Sequence, residues 1–122
     1  MPTDETLDPA VVAELRRAQE DFGNPGFIGE LVALFRTRTP EKLERVRLAL
    51  GAGDAVTVRE VAHSLRSSCG MLGAMTMSGA CARMEDAAAR GDLAAAAEAF
   101  ADVDAQLPAV LTALARTVPS GI

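Results

Sequence analysis

The chain has 122 residues, enough for one domain with a real core, and 49% of them are apolar. Its four aromatic residues are all Phe, so the core has to be built from Leu, Val, Ala and Met. A formal charge of −5 gives no electrostatic reason for nucleic-acid binding, and no apolar run approaches the roughly 20 residues of a membrane span.

Ala, Leu, Glu and Arg dominate the composition, and all are strong helix formers, so an all-α fold is expected. Residues 1–8 have neither the basic nor the apolar region of a secretory signal, which points to the cytoplasm. Cys69 and Cys81 fall in apolar helical patterns and read as reduced and structural. One histidine and two separated cysteines make no zinc site, so no metal is expected on this chain.

Asp8 before Pro9 is a helix start, a side-chain acceptor followed by a residue with φ already set. A first helix runs to about Phe22, with Val11, Val12 and Leu15 apolar. Gly23, Asn24, Pro25 and Gly26 form the break, and Asn24-Pro25 repeats the start signal. Beyond it, Ile28, Leu31, Val32 and Phe35 define one face at about 100° per residue, and Leu43, Val46 and Leu50 return to that face past Pro40. A new helix would have no reason to keep the old phase. The spacing therefore predicts one long helix over about 25–51, bent at Pro40; the alternative is a break with Thr39 as a fresh N-cap.

Gly51-Ala52-Gly53-Asp54 closes that helix and caps a third, about 55–72. After the turn at Gly73-Ala74 a fourth helix, about 75–90, turns Ala80, Cys81, Met84, Ala87 and Ala88 inward. Gly91-Asp92 is again a C-cap glycine followed by an N-cap aspartate. The fifth helix, Leu93 to about Thr117, carries Leu93, Ala96, Phe100, Val103, Leu107, Leu111 and Leu114 on one stripe, with Pro108 off it. The tail from Pro119 reads as frayed. Short loops between long amphipathic helices predict an antiparallel up-down four-helix bundle with an additional short N-terminal helix across one end. We read residues 1–122 as a single domain with its core over about 8–117.

The third helix carries the chemistry. Val58, Val61, Ala62, Leu65, Cys69 and Leu72 cluster on its core side, and His63 projects to roughly the opposite side with Arg59, Arg66, Ser67 and Gly70. A glycine in mid-helix costs about 1 kcal/mol relative to alanine. Small residues beside an exposed imidazole leave it uncovered for a partner, although small residues also suit close helix packing. Arg66, one turn on along the same flank, can contact phosphoryl oxygens on the imidazole, or it is simply a solvated surface charge. Neutral imidazole is a nucleophile at neutral pH and can attack phosphorus in line. The histidine has no carboxylate or nucleophilic partner at a recognisable spacing, so an ordinary hydrolase is not supported.

The stretch A-H-S-L-R-S-S-C-G-M-L-G-A, Ala62 to Ala74, resembles the histidine phosphotransfer family, whose pattern is His-x-Leu-Lys-Gly-Ser-Ser with Leu-Gly following. His63, Leu65, Ser68, Leu72 and Gly73 match it. Arg66 stands for the usual lysine and Ser67 for the usual glycine; arginine keeps the charge with a different reach, and the Ser67 hydroxyl can bond a phosphoryl group or crowd docking. L-D-P-A-V-V-A-E-L at 7–15, G-F-I-G-E-L-V-A-L-F at 26–35, T-P at 39–40, A-L-G-A-G-D-A at 49–55 and R-M-E-D-A-A-A-R-G-D-L at 83–93 are similar to the family in order and spacing.

The resemblance implies a phosphorelay intermediate. His63 would accept a phosphoryl group from a receiver-domain aspartyl phosphate and pass it to another receiver, with Arg66 and Ser67 stabilising the group and Arg59, Glu60, Ser64 and Gly70 forming the docking rim. It implies a phosphocarrier rather than an enzyme, with no ATP site and no cofactor, Mg²⁺ being held by the partner receiver. The implied partners are response-regulator receiver domains and a hybrid histidine kinase, with this chain a monomer. The first helix would add Val11, Val12 or Leu15 if it crosses near the site. Two alternatives stay open at this point: a receiver-binding or regulatory bundle that transfers nothing, and a domain phosphorylated directly by a histidine kinase.

Overall fold

The computed structural model describes residues 6–117. The tail from Pro119, read above as frayed, lies outside them. The described residues form five helices in the order α1 (Pro9–Phe22), α2 (Phe27–Gly51), α3 (Ala55–Met71), α4 (Met75–Ala89) and α5 (Leu93–Thr117). The short turns make α2 to α5 an up-down antiparallel bundle. α3 packs most closely on α4 and also on α2, and α5 closes the ring against α4 and α2.

Local sequence chemistry sets most of the ends. Asp8 accepts a hydrogen bond from the Ala10 N–H at 2.9 Å, Asp54 from the Thr57 N–H at 3.1 Å and Asp92 from the Ala95 N–H at 3.0 Å. The Thr57 hydroxyl also donates to Asp54, and these bonds hold the Asp54 carboxyl below the usual carboxylate range. α2 begins at Phe27 rather than at residue 25. Asn24 spends its side chain on the Gly26 N–H at 3.0 Å, a separate turn that delays the first helical residue.

α2 runs unbroken through Pro40, which is exposed, while Thr39 is buried among the core residues; the alternative of a fresh cap at Thr39 is excluded. The expected α2 face is largely right, with Ala49 fully in and Leu31 and Leu50 only half-buried. α5 is likewise continuous through an exposed Pro108. Its buried line is Ala96, Ala99, Val103, Val110, Ala113 and Leu114, whereas Leu93, Phe100, Leu107 and Leu111 are half-buried. α5 sits against both α4 and α2, so small residues take the centre of the seam and longer side chains flank it.

The core is aliphatic and small-residue rich, centred on Val46, Val58, Ala62, Leu65, Cys69, Met84 and Val103. Cys69 and Cys81 are both free and buried. The Cys69 thiol and burial push the Cys81 thiol far above its usual range, so it stays a thiol.

α1 packs on α2 and caps one end of the bundle. The Asp8 N–H donates to the Gly73 carbonyl at 2.8 Å, and Gln19 Oε1 accepts from the Ile28 N–H at 3.0 Å. Gly73 has φ 83°, and a Cβ there would stand 3.2 Å from both Asp8 N and Val11 Cβ. The α3–α4 turn therefore needs glycine for its backbone and for the approach of α1. Val11, Val12 and Leu15 are half-buried at this end, with Val12 and Leu15 packed on the core and Val11 at Gly73. Gly73 is ten residues, or about 15 Å of helix, beyond His63. α1 thus packs these partly buried side chains on the bundle end.

Candidate functional site

His63 is the ninth of the seventeen residues of α3, in the middle of a helix whose other side is anchored by Val58, Val61, Ala62, Leu65 and Cys69. Its side chain is 59% exposed. The helical phase that buries those five residues leaves His63 at the edge facing α4, where it meets a carboxylate. His63 Nδ1 lies 2.9 Å from Glu85 Oε2. An ionised carboxylate can only accept, so Nδ1–H donates, and in the neutral imidazole the lone pair then resides on Nε2.

Glu85 comes from α4 and is only 17% exposed. Its other oxygen, Oε1, is closed off from solvent and receives no well-aligned hydrogen bond. Arg66 Nη1 meets it at 3.1 Å as a charge contact, and the arginine side chain is 43% exposed. One carboxylate therefore bridges the imidazole and the guanidinium. The site is an imidazole, a carboxylate and a guanidinium, held between two helices. No recognisable spacing links the histidine to this carboxylate: the partner is 22 residues away in sequence and supplied by another element.

The remaining expected residues separate into groups. Arg59 and Glu60 are exposed and, with Val56, His63 and Glu85, line a shallow groove of about 480 Å³ beside the imidazole. Ser67 is exposed, and its hydroxyl donates to the His63 backbone carbonyl at 3.2 Å. Ser64 turns toward α2, where its Oγ accepts from Lys42 Nζ at 2.8 Å. Gly70 is half-buried and faces α4: a Cβ built on it would lie 3.7 Å from Ser78 Oγ. Ser78 in turn donates to the Arg66 carbonyl at 3.1 Å. Gly70 thus lies on the same flank of α3 as His63, two turns on, and faces α4 at an ordinary contact distance from Ser78. No group of three or more His, Cys, Asp or Glu side chains able to hold a metal ion occurs among the described residues. No helix among them is long and apolar enough to cross a membrane.

An exposed helical imidazole with one nitrogen anchored, set in a four-helix bundle, defines the histidine phosphotransfer class. The sequence model of the Hpt domain matches residues 30–117, and the chain belongs to that family. The fold is similar to the crystal structure of histidine-containing phosphotransfer protein B from Pseudomonas aeruginosa PAO1, with a TM-score of 0.81 and 29% identity over 91% of this chain and 92% of that one. A search of curated protein sequences gave no match. The function is histidine phosphotransfer within phosphorelays. Proteins of this family are phosphocarriers that interact with receiver domains and histidine kinases.

Proposed function

We propose that His63 is the phosphoryl carrier, accepting the group on Nε2 from a receiver aspartyl phosphate and passing it to the aspartate of a second receiver. The observation that carries this reading is the 2.9 Å contact from His63 Nδ1 to Glu85, which leaves Nε2 as the nucleophile on an exposed ring. His63 is also the one histidine in the chain. In the forward step the Nε2 lone pair forms a bond to phosphorus, the bond from phosphorus to the aspartyl oxygen breaks, and the carboxylate leaves with its electron pair. The ring then carries Nδ1–H and Nε2–PO₃²⁻, a cationic imidazolium ring bearing the phosphoryl dianion. Glu85 faces that ring at Nδ1 and stabilises its positive charge. Passing the group on reverses the bonds and restores the neutral imidazole.

Arg66 has two tasks in this scheme. It offsets the charge of Glu85, so a phosphoryl dianion is not met by an uncompensated carboxylate, and its further N–H groups can bond phosphoryl oxygens. The Ser67 hydroxyl is a second donor beside the ring. Arg59 and Glu60 form the docking rim on one side of His63. Mg²⁺ and the catalytic carboxylates belong to the partner receiver, and this chain acts as a cytoplasmic monomer without an ATP site.

The test is incubation with phosphorylated receivers. Wild-type protein is expected to gain one acid-labile, base-stable phosphoryl group and His63→Gln none. Equal labelling of the His63→Gln protein overturns the assignment.

A further inference from the structure

α3 and α4 are the most closely packed helices of the bundle, and each turns a cysteine into the seam between them. Cys69 and Cys81 are both free and fully buried. Their side chains share a hydrogen bond across the two helices. They are the two cysteines of the whole chain, so every thiol it has is spent on one contact. The proposed phosphoryl transfer uses neither sulfur.

The pair is asymmetric. The hydrogen bond from Cys81 lowers the Cys69 thiol below its ordinary range; burial opposes this, and the charge of Lys42 adds to the lowering. The same bond, with burial, pushes Cys81 up, so that it keeps its proton. One sulfur is thus biased toward thiolate, the reactive form, and a thiol stands against it. Gly70 follows Cys69 in α3 and Ser78 lies one turn before Cys81 in α4, so the seam beside the sulfurs is closed by small groups. A molecule little larger than water needs only a local opening of that seam to reach them.

We propose that Cys69 and Cys81 form a reversible dithiol–disulfide site, oxidised by hydrogen peroxide, that slows phosphoryl loading of His63 when the disulfide closes. In the first step the Cys69 sulfur forms a bond to one peroxide oxygen, the O–O bond breaks, and the departing hydroxide takes up the Cys69 proton as water. In the second the Cys81 sulfur attacks the sulfenic sulfur of Cys69, the S–S bond forms, the S–O bond breaks, and hydroxide leaves with the Cys81 proton as water. Two thiols are oxidised by two electrons and one peroxide is reduced to two waters. Disulfides of this reversible kind act as redox sensors in reducing surroundings. Coupling to the imidazole follows from position: Cys81 is four residues before Glu85, one turn away on the same side of α4, and Cys69 is six residues beyond His63 in α3. The 2.9 Å contact of His63 with Glu85 crosses the same seam, so a covalent tie between the helices resets it. The coupling rests on the phosphotransfer reading above, whereas the disulfide does not.

The test treats reduced wild-type protein with increasing hydrogen peroxide, maps the products by mass spectrometry, and measures loading from phosphoramidate, a small donor that needs no receiver. The protein is expected to lose two hydrogens, mapped to a Cys69–Cys81 bridge within one chain, and to regain them with dithiothreitol. Loading is expected to fall about fivefold on oxidation, the loss due when the Glu85 contact is weakened, and to recover on reduction. Cys69→Ala with Cys81→Ala is expected to load at one rate with and without peroxide, and the reversal in wild type serves where that variant does not fold. Exposed Met71 reports that oxidant was sufficient. The proposal is overturned if Met71 is converted to its sulfoxide while both thiols stay free, or if the cysteines pair only between chains. It is equally overturned if the bridge forms and loading stays within twofold. Failure of the reduced protein to label at all instead removes the phosphotransfer reading, and the coupling with it, while the bridge is still read from the mass.

Discussion

In the proposed transfer the carboxylate of Glu85 has two roles at once: it meets His63 Nδ1 at 2.9 Å, setting which ring nitrogen is free, and it meets Arg66 at 3.1 Å, holding the guanidinium beside the ring. These roles separate by mutation. Glu85→Gln keeps an oxygen that accepts from Nδ1–H but removes the charge facing the phosphoimidazolium. For a pair this accessible to water the loss is about 1 kcal/mol, or roughly fivefold in the rate of loading from phosphoramidate. Glu85→Ala also frees the tautomer and is expected to be slower still. Thermal unfolding serves as the control, because a merely structural Glu85 would lower the midpoint and leave the rate per folded molecule unchanged. The imidazole itself was legible from helical phase and from the motif around it. Glu85 was not, because no spacing rule within one helix links residues 63 and 85. The signal that could have found it is the turn: a short αα-hairpin brings together residues equidistant from its centre, and His63 and Glu85 each lie eleven residues from Ala74. The same pairing sets Gly70 opposite Ser78.

The helices were readable at the scale of whole elements, because Asp8, Asp54 and Asp92 mark three starts and the apolar phase passes through Pro40 and Pro108 unbroken. Less readable was the lateral position of each seam. The burial of Ala99, Val110 and Ala113 over Leu107 and Leu111 depends on two neighbouring helices, which one helix's periodicity does not contain. Two predictions belong here. The Asp54 cap is anionic, and its hydrogen bonds with Thr57 lower its carboxyl from the usual value near 4. Its stabilisation is therefore present above that value and is lost as pH falls through the lower folded-state value. Asp54→Ala is expected to lower the unfolding midpoint at pH 7, with the deficit shrinking as the pH is taken down through the lowered folded-state value, as thermal melts over a series of acidic pH values will show. Gly73→Ala places a methyl in a left-handed backbone against Asp8 and Val11, and should cost about 1–2 kcal/mol in denaturant unfolding. Because Gly73 also holds the start of α1, the same variant is expected to speed amide exchange in α1 before the other helices.

For the whole molecule, the division of labour follows from the bundle. Four helices bury a small aliphatic core, α1 closes one end, and the middle of α3 stays open with His63 on it. The two flanks of α3 differ. The α4 side supplies the group that tunes the ring, and the α2 side offers apolar residues and cations without carboxylates. If the reading of His63 holds, variants at Glu85 should alter the rate of phosphoryl loading with any donor. The central claim is that His63 both accepts and donates. The most direct measurement follows one label through both steps: protein loaded from a phosphorylated receiver is purified and mixed with a second, unphosphorylated receiver. The account predicts that the label leaves His63 and appears on the second receiver's aspartate, and that His63→Gln interrupts the relay at its first step. Label that stays on the bundle with a competent receiver panel, or a relay that runs through His63→Gln, would contradict it.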